Sequence, residues 1–525
     1  MRMNPLLLTD GYKTGHHQQY PKGTKLVYSN FTPRSNKHAP KGCNDVVVFG
    51  TQMVMRQIHE AFQTEFFDRP KDEVCAEMKA ELSMYLGTDY DVSHFEALHD
   101  LGYLPIKVKA LPEGTICPIK IPVLTIRNTH SGFYWVTNYL ETILSNMLWK
   151  PMTSATIAHQ YRKVLTSWQE KTDAERAWFI DWQGHDFSMR GMDSIDATIS
   201  SGLGHLTSFL GSDSLPAIRG ARMYYDENGM VCGSVNATEH SVMCAGGKED
   251  EIETFRRLIE TYPTGILSVV SDTWDLWRVC TEHVVMLKEE IMNRDGKLVI
   301  RPDSGDPVDI ICGTIKPDSY GSIEYFDEHG EYSTKEDYYN RVKGTREYNE
   351  SKGVIELLWD VFGGTVNEQG YKVLDPHIGA IYGDSITIER ADEICRRLEA
   401  KGFASTNVVL GIGSFTYQYN TRDTFGFAMK ATYVEVNGEP REIFKDPVTD
   451  DGTKKSATGL LRVRRVDGEL ILEDRLPGWD LEHLGELEII YMNGKFSNQT
   501  TLTEIRNRLK RSTKLQELVN DSNQA

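Results

Sequence analysis

The sequence of 525 residues has no CxxC pair, and no apolar run approaches the ~20 residues that span a bilayer. Its eight cysteines lie far apart, which excludes the common metal and redox motifs and is typical of reduced thiols in an intracellular protein. The opening MRMNPLLLTDGYK has only three leucines before Asp10, too few for the apolar part of a signal peptide. We therefore expect a cytoplasmic protein without a membrane segment.

Positive charge is also scarce. Lys and Arg number 58 against 76 Asp and Glu, so the net charge is −18 with His counted as neutral. Binding of nucleic acid depends on clustered Lys and Arg that neutralise phosphates, and this balance argues against such a partner. A phosphorylated metabolite stays possible, because a few cations in one cleft suffice. The apolar fraction of 40% allows a sizeable core and excludes a disordered or fibrous chain.

Four apolar β-type runs in the middle of the chain end at polar residues. ILSVVSD reaches Asp272, KLVIRPDSG passes Asp303, GAIYGDS reaches Asp384 and NVVLGIGS ends at Ser414. Apolar runs without alternation are typical of parallel strands buried on both faces. In βα barrels and doubly wound sheets, the carboxyl ends of such strands carry the chemistry. Helix-like stretches follow the first three runs, so we predict an α/β fold with an irregular βα barrel.

The flanking segments give simpler patterns. Apolar spacing predicts helices over 52–67, 71–86, 133–149 and 154–168, with Pro151 between the last two because a helix interior does not tolerate it. LPIKVKALPEG and PVLTIRNT predict strands of a small sheet. The polar, tyrosine-rich stretch 314–353 is interpreted as a surface insertion, and 501–518 as a terminal amphipathic helix.

Several short segments could carry chemistry, although each has a structural alternative. In RPDSGDP, Arg301 and Asp303 could bind phosphate, Mg²⁺ or sugar hydroxyls, or form an ion pair at a strand end. A lone His240 is more often structural than catalytic, and the GIGS turn is a weak phosphate signal. No GxxxxGK[ST], GxSxG or HExxH is present, which excludes P-loop, α/β-hydrolase and zincin functions. Pattern alone thus predicts a βα enzyme acting on a phosphorylated small molecule.

Nine segments taken together carry a resemblance over nearly the whole chain: LLLTDGYKTGHHQQYP, HDFSMRG, FLGSDS, ATEHS, SVVSDTWD, IRPDSGDP, YGDSI, NTRD and FKDP. In this order they resemble the nicotinamide phosphoribosyltransferase family of the type II phosphoribosyltransferase group. The resemblance implies a βα (half-)barrel domain over 151–430, packed on a mixed sheet-containing domain built from 1–150 and 431–525. It also implies a head-to-tail homodimer with active sites at the interface.

The implied reaction joins nicotinamide to C1 of phosphoribosyl pyrophosphate, giving nicotinamide mononucleotide and pyrophosphate in NAD salvage. Because C1 passes through an oxocarbenium-like state, the site must stabilise a cationic sugar and a departing anion. The resemblance implies Mg²⁺, bound through the substrate pyrophosphate with Asp272 and Asp303 as candidate protein ligands, and ATP as a coupled co-substrate. The pyridine nitrogen is already a neutral nucleophile, so no general base is required.

The resemblance also assigns the site, residue by residue. His240 would be phosphorylated by ATP, with Glu239 and Asp272 orienting its ring, and Arg301 and Asp303 complete the catalytic set. Nicotinamide would stack between Phe187 and Tyr12 of the partner subunit, whose Asp10 lies close by. Asp213 would accept from the carboxamide and repel the carboxylate of nicotinate. The remaining substrate contacts would come from Arg190, Arg301, Ser268, Asp303, Gly383, Asp384, Gly413, Ser414, Arg34, Arg422, Lys430 and Lys445.

The sequence departs from the family pattern at GIGSF, where Ser414 and Phe415 replace two glycines, and at Ser188 and Met189 of HDFSMRG. The insertion over 314–353 is longer than expected. Two alternatives stay open: a nicotinate phosphoribosyltransferase with the same fold, and a non-catalytic binding or signalling protein. The presence of Asp213 argues against the first, and the complete set of catalytic positions argues against the second.

Overall fold

In the computed structural model of the chain, the four apolar runs are consecutive neighbours in one parallel sheet: Thr264–Val270, Asp295–Arg301, Ile378–Tyr382 and Val408–Ile412, in the order 264, 295, 378, 408. Gly184–Asp186 and Gly211–Ser212 extend the sheet at one end, and Asn236–Ala237 extends it at the other. Gly211 also bridges to Gly233, just before that last strand, so the sheet curls toward closure. The predicted α/β class with a barrel-like parallel sheet is confirmed.

The structure describes residues 3–314, 325–326, 332–333, 340–383, 385–444 and 457–524. Unit 1 comprises Met1–Thr156, Arg219–Gly229 and Asn420–Ala525, and unit 2 comprises Ile157–Ile218 and Met230–Tyr419. The boundaries thus fall at 156 and 419, against 150 and 430 in the sequence analysis. The segment Arg219–Gly229 belongs to unit 1, which no pattern in the sequence indicated.

Unit 2 is built around the parallel sheet, whose strands contribute fully buried aliphatic residues such as Leu267, Leu298, Ile300 and Leu410. Burial on both faces explains why the runs lack alternation. The helices that follow the strands bury one face against the same core. Its helical segments of five or more residues that lie wholly in unit 2 are Ala174–Phe179, Ile195–His205, His240–Gly246, Glu251–Thr261, Val279–His283, Lys288–Met292, Pro307–Cys312, Arg346–Phe362, Ile388–Ala400 and Ser414–Gln418.

Unit 1 contains a seven-stranded antiparallel sheet made from both ends of the chain. Thr24–Thr32 lies between Ala428–Val436 and Leu124–Asn128, so strands near the two ends of the chain are hydrogen-bonded neighbours. The spatial order is Glu439–Glu442, Ala428–Val436, Thr24–Thr32, Leu124–Asn128, Ile106–Ala110, Glu488–Met492 and Lys495–Phe496. The longer helices in this part of the chain are Thr51–Phe62, Lys71–Leu86, Ser93–Leu101, Leu502–Gln524 and most of Pro216–Tyr225. The sheet and the terminal helix agree with the prediction.

The break predicted at Pro151 is wrong. Tyr134–Thr172 is one helix with Pro151 inside it. Proline costs a helix one hydrogen bond and about 3 kcal/mol, but Leu148 and Met152 on either side are fully buried. The proline ring also packs so closely on Gly50 that a Cβ there would lie 2.5 Å from it. Tertiary packing therefore outweighs the local penalty.

About half of the predicted surface insertion over 314–353 falls outside the described residues. Within it the structure gives one short pairing, of Tyr325–Phe326 with Tyr332–Ser333. Its last part is not a surface excursion, because Arg346–Phe362 is helical and Ser351 and Gly353 are buried. Gly353 has a φ of 76° inside this helix, and its backbone contacts Gly313.

Two further sequence expectations concern cysteines and membrane segments. All eight cysteines are free thiols, and six of them are fully or almost fully buried. Within the described ranges, no helix has the length and hydropathy needed to cross a bilayer.

Candidate active site

A cavity of about 700 Å³ opens in unit 2 where the parallel strands end. Strand geometry explains its composition, because residues directly after neighbouring parallel strands converge at one edge. Eight residues predicted from the sequence line this cavity: Phe187, Arg190, Asp213, Glu239, Arg301, Asp303, Gly383 and Ser414. Five lining residues were not predicted: Met189, Ser214, Ala237, Thr238 and Val242.

Asp272 and Asp303 are held together just after the carboxyl ends of the adjacent strands Thr264–Val270 and Asp295–Arg301. Oδ2 of Asp272 accepts hydrogen bonds from the backbone N–H of Asp303 at 2.8 Å and from Oγ of Ser304 at 2.6 Å. The other oxygen of Asp272 and Oδ1 of Asp303 are buried without a hydrogen-bond donor in the part of the chain that the structure describes. Two such oxygens are costly to bury unless a cation or a ligand satisfies them.

His240 begins the helix His240–Gly246 and turns its ring toward both carboxylates. Nε2 lies 3.9 Å from Oδ1 of Asp272 and 3.8 Å from Oδ2 of Asp303. On the other side of the ring, Nδ1 lies 3.2 Å from Oγ1 of Thr273, a contact that the sequence analysis missed. Glu239 instead accepts a hydrogen bond from Ser241, so its role in orienting His240 stays a prediction.

Phe187 and Asp213 both line the cavity. The guanidinium carbon of Arg301 lies 4.9 Å from the centroid of the Phe187 ring, a cation–π distance. Asp213 accepts hydrogen bonds from Nε2 of His185 at 2.9 Å and from Oγ of Ser234. Burial by itself would raise the pKa of Asp213, but these two bonds and the charges of His185 and Arg301 hold that pKa below its usual value. The carboxylate therefore keeps its negative charge.

Two glycines let neighbouring side chains of this site lie close to the backbone. A Cβ on Gly383 would lie 2.6 Å from Oδ1 of Asp303, and a Cβ on Gly191 would lie 2.1 Å from Oγ of Ser414. The serine that replaces a family glycine at 414 is thus accommodated by the glycine at 191. Gly413 caps the helix that Ser414 begins. Ser268, on the strand Thr264–Val270, has a buried hydroxyl without a hydrogen-bond partner within the described residues.

The other predicted site residues lie in unit 1 or outside the described residues. Oδ2 of Asp10 accepts from Tyr12 at 3.3 Å and from Thr142 at 2.7 Å, and Tyr12 is 66% exposed. Burial and the nearby charge of Arg422 lower the pKa of Arg34. Lys430 lies on the strand Ala428–Val436. Asp384 and Lys445 fall outside the described residues. The roles assigned to all of these residues stay predictions.

The carboxylates of Asp303, which lines the cavity, and of the adjacent Asp272 suit Mg²⁺ only in part. No cluster of three or more His, Cys, Asp or Glu side chains with metal-ligand geometry occurs within the described ranges. The unsatisfied oxygens of Asp272 and Asp303 supply two hard ligands, whereas Mg²⁺ takes six. Mg²⁺ commonly keeps its remaining positions for water and for substrate phosphates, so these two residues fit an ion that arrives with a phosphorylated substrate.

Two family models match the sequence. The nicotinate phosphoribosyltransferase (NAPRTase) family matches residues 182–510, and the N-terminal domain of nicotinamide phosphoribosyltransferase matches residues 4–108. A nicotinamide phosphoribosyltransferase of Acinetobacter baylyi is 51% identical, covering 97% of this chain and 97% of its own. A nicotinamide phosphoribosyltransferase of Xanthomonas campestris pv. campestris is 31% identical, covering 96% and 97%.

Solved structures support the fold at lower identity. Human nicotinic acid phosphoribosyltransferase superimposes with a TM-score of 0.54 and 15% identity, covering 97% of this chain and 94% of that one. Nicotinate-nucleotide pyrophosphorylase from Pyrococcus furiosus gives a TM-score of 0.52 and 16% identity, covering 98% and 96%. At these identities the likeness concerns the fold alone.

Proposed function

Because the chain belongs to the nicotinate phosphoribosyltransferase family, we propose that it transfers the phosphoribosyl group of phosphoribosyl pyrophosphate to nicotinamide. The bond that forms joins the pyridine nitrogen to C1 of the ribose, and the bond that breaks joins C1 to pyrophosphate. The products are nicotinamide mononucleotide and pyrophosphate. The two relatives that are 51% and 31% identical to this chain are named nicotinamide phosphoribosyltransferase. Each comparison covers nearly the whole length of both proteins.

The observation that carries the choice of nicotinamide is the charged Asp213 beside Phe187 in the cavity. The ring of Phe187 offers a flat apolar surface for a pyridine. Asp213 can accept a hydrogen bond from the NH₂ of a carboxamide, whereas a carboxylate in the same place would face a like charge. A like-charge contact in a partly buried site disfavours nicotinate.

The charges of the cavity suit the sugar and its leaving group. Arg190 and Arg301 can interact with phosphate oxygens, since guanidinium groups bind phosphate through two parallel donors. The carboxylate of Asp303 can accept hydrogen bonds from ribose hydroxyls and stabilise positive charge that develops at C1. Mg²⁺ held by Asp272 and Asp303 would neutralise the departing pyrophosphate.

His240 is proposed as the group that couples ATP to the reaction. A ring nitrogen would attack the γ-phosphorus of ATP, the bond from that phosphorus to the bridging oxygen would break, and ADP would leave. Water later hydrolyses the phosphohistidine to inorganic phosphate. The exposure of the ring, 49%, leaves it accessible to a nucleotide, and Thr273, Asp272 and Asp303, which lie 3.2, 3.9 and 3.8 Å from its nitrogens, would orient it.

The complete site is proposed to form in a homodimer in the cytoplasm. Tyr12 of the partner subunit would close the ring slot opposite Phe187, and Arg34, Arg422, Lys430 and Lys445 would bind phosphates. Tyr12 is a large aromatic residue with 66% exposure, which suits a residue that contacts another chain. The cytoplasmic location is proposed from the eight free cysteines.

Incubation of the purified chain with phosphoribosyl pyrophosphate, Mg²⁺ and either nicotinamide or nicotinate, with and without ATP, tests the proposal. Mass spectrometry identifies the mononucleotide, and initial rates give kcat/KM for each base. We expect nicotinamide mononucleotide, faster synthesis with ATP, and a higher kcat/KM for nicotinamide. A higher kcat/KM for nicotinate would overturn the choice of substrate, and no mononucleotide from either base would support the non-catalytic alternative.

A further inference from the structure

One oxygen of Asp213 takes both of the hydrogen bonds that fix this side chain. Oδ1 accepts from Nε2 of His185 and from Oγ of Ser234. Within the described residues, Oδ2 has no donor, although the side chain is 41% exposed at the cavity. An ionised carboxylate can only accept, so the proton of this contact must lie on Nε2 of His185. The oxygen left for a ligand is therefore Oδ2.

His185 is itself immobilised by its surroundings. It lies on the buried strand Gly184–Asp186, and its side chain is only 10% exposed. Its ring centroid lies 4.5 Å from that of Phe187, and a Cβ on Gly211 would lie 2.7 Å from Nδ1. Only glycine at 211 leaves room for this ring. The backbone of Asp213 is fixed as well, because its N–H donates to the carbonyl of Asp186 at 3.0 Å.

Given the proposed function, we infer that His185 is a positioning residue that sets the preference for nicotinamide over nicotinate. By holding Oδ1, it prevents the carboxylate of Asp213 from rotating and presents Oδ2 to the carboxamide NH₂. No atom of His185 needs to touch the substrate for this effect. Ser234 assists from the opposite segment of the barrel, just before the strand Asn236–Ala237.

The same hydrogen bond lowers the pKa of Asp213, so that its charge, and with it the repulsion of nicotinate, persists to lower pH. The titratable and charged groups around it are His185 beside it and Arg190, Glu239, Arg301 and Asp303 along the cavity wall. Without the donor at 185, the pKa of Asp213 would rise toward its usual value, with the charge of Arg301 still opposing that rise. Protonated Asp213 no longer repels a carboxylate. Discrimination would then weaken at a higher pH than in the wild type.

His185→Leu removes the donor, and His185→Gln keeps an N–H near the position of Nε2. We measure kcat/KM for nicotinamide and for nicotinate with the full chain between about pH 4 and pH 8, a range that reaches the usual pKa of an aspartate. In His185→Leu the ratio of the two values should fall about tenfold, the effect of losing one hydrogen bond to a charged group. As pH decreases, the ratio in this variant should begin to fall further at a higher pH than in the wild type. His185→Gln should restore most of the ratio.

The control is His377→Leu, which removes another His–Asp contact of 2.7 Å, from His377 to Asp375, before the strand Ile378–Tyr382. It lies at the amino end of a strand, away from the cavity, and should leave the ratio unchanged. If His185→Leu does not fold, His185→Asn serves instead, because its shorter amide cannot reach Oδ1 and the ratio should fall likewise.

A wild-type ratio and pH profile in the variants without the donor would overturn the role of His185 while nicotinamide remains the substrate. An equal fall in His185→Gln and His185→Leu would also overturn it, because a merely structural role would not distinguish the two. Failure of the wild type to use nicotinamide would instead overturn the proposed function.

Discussion

Nε2 of His240 lies 3.9 Å from Oδ1 of Asp272, and that oxygen has no hydrogen-bond donor in the described part of the chain. The second oxygen of Asp272 holds the turn at Asp303 and Ser304. One carboxylate thus supports the loop after its neighbouring strand and faces the histidine at the same time. The His240 ring therefore lies next to the carboxylate that holds the segment bearing the predicted substrate-binding groups.

Replacement of His240 by Ala should abolish the stimulation by ATP and leave slow, ATP-independent synthesis of the mononucleotide. The physical reason is that the imidazole is the proposed phosphoryl acceptor, whereas the groups at Phe187 and Asp213 remain in place. Initial rates with and without ATP measure the effect, and intact mass detects the phosphorylated wild-type chain. Equal stimulation in both proteins would show that His240 has another role.

Replacement of Asp213 by Ser should reduce the discrimination against nicotinate by about 2 kcal/mol, the size expected for a partly buried polar contact. Asp213→Asn is the matched variant, because it keeps the shape and an oxygen that can accept from His185 but has no charge. Both variants should raise kcat/KM for nicotinate. A rise only in the Ser variant would indicate that space rather than charge excludes nicotinate.

More of the fold than of the site could be predicted from the sequence. The strands that lead to Asp272 and Asp303 are uninterrupted apolar runs, a signal that one segment carries by itself. The hydrogen bonds of Asp213 come instead from His185 and Ser234, which are distant in sequence and meet only because the sheet curls. His185 did lie within a motif that the resemblance used, yet nothing local indicated its partner. The helix break predicted at Pro151 was wrong for a related reason, because the packing of Pro151 on Gly50 is a long-range contact.

Replacement of Glu141 by Ala should destabilise unit 1 by about 3–5 kcal/mol, because it leaves a buried charge without its partner. Lys13 donates to Glu141 at 2.9 Å, with side-chain exposures of 6% and 11%, and Ser29 also donates to this carboxylate. Urea unfolding measures the change. The control is Asp100→Ala, which breaks the exposed pair of Lys71 and Asp100 and should cost less than about 1 kcal/mol. If the two variants lost similar amounts of free energy of unfolding, the buried pair of Lys13 and Glu141 would not contribute more to stability than an exposed pair.

Replacement of Glu251 by Gln should change the pH dependence of stability. Burial raises the pKa of Glu251 from 4.5 to about 7, with Asp275 adding to the shift and Arg278 opposing it, and the side chain is 3% exposed beside His283. Between these two pH values the folded chain keeps a proton that the unfolded chain has lost. The free energy of unfolding of the wild type therefore falls as pH rises through this window.

Gln at 251 cannot titrate, so the variant should gain about 1–3 kcal/mol relative to the wild type between pH 4.5 and pH 8. Urea unfolding of both proteins across this range measures the difference. Glu253→Gln on the same helix is the control, because Glu253 is 60% exposed in a surface pair with Arg256 and should give a difference that hardly varies with pH. If the difference between the Glu251 variant and the wild type is the same at all pH values, the carboxyl group of Glu251 has its ordinary pKa in the folded chain.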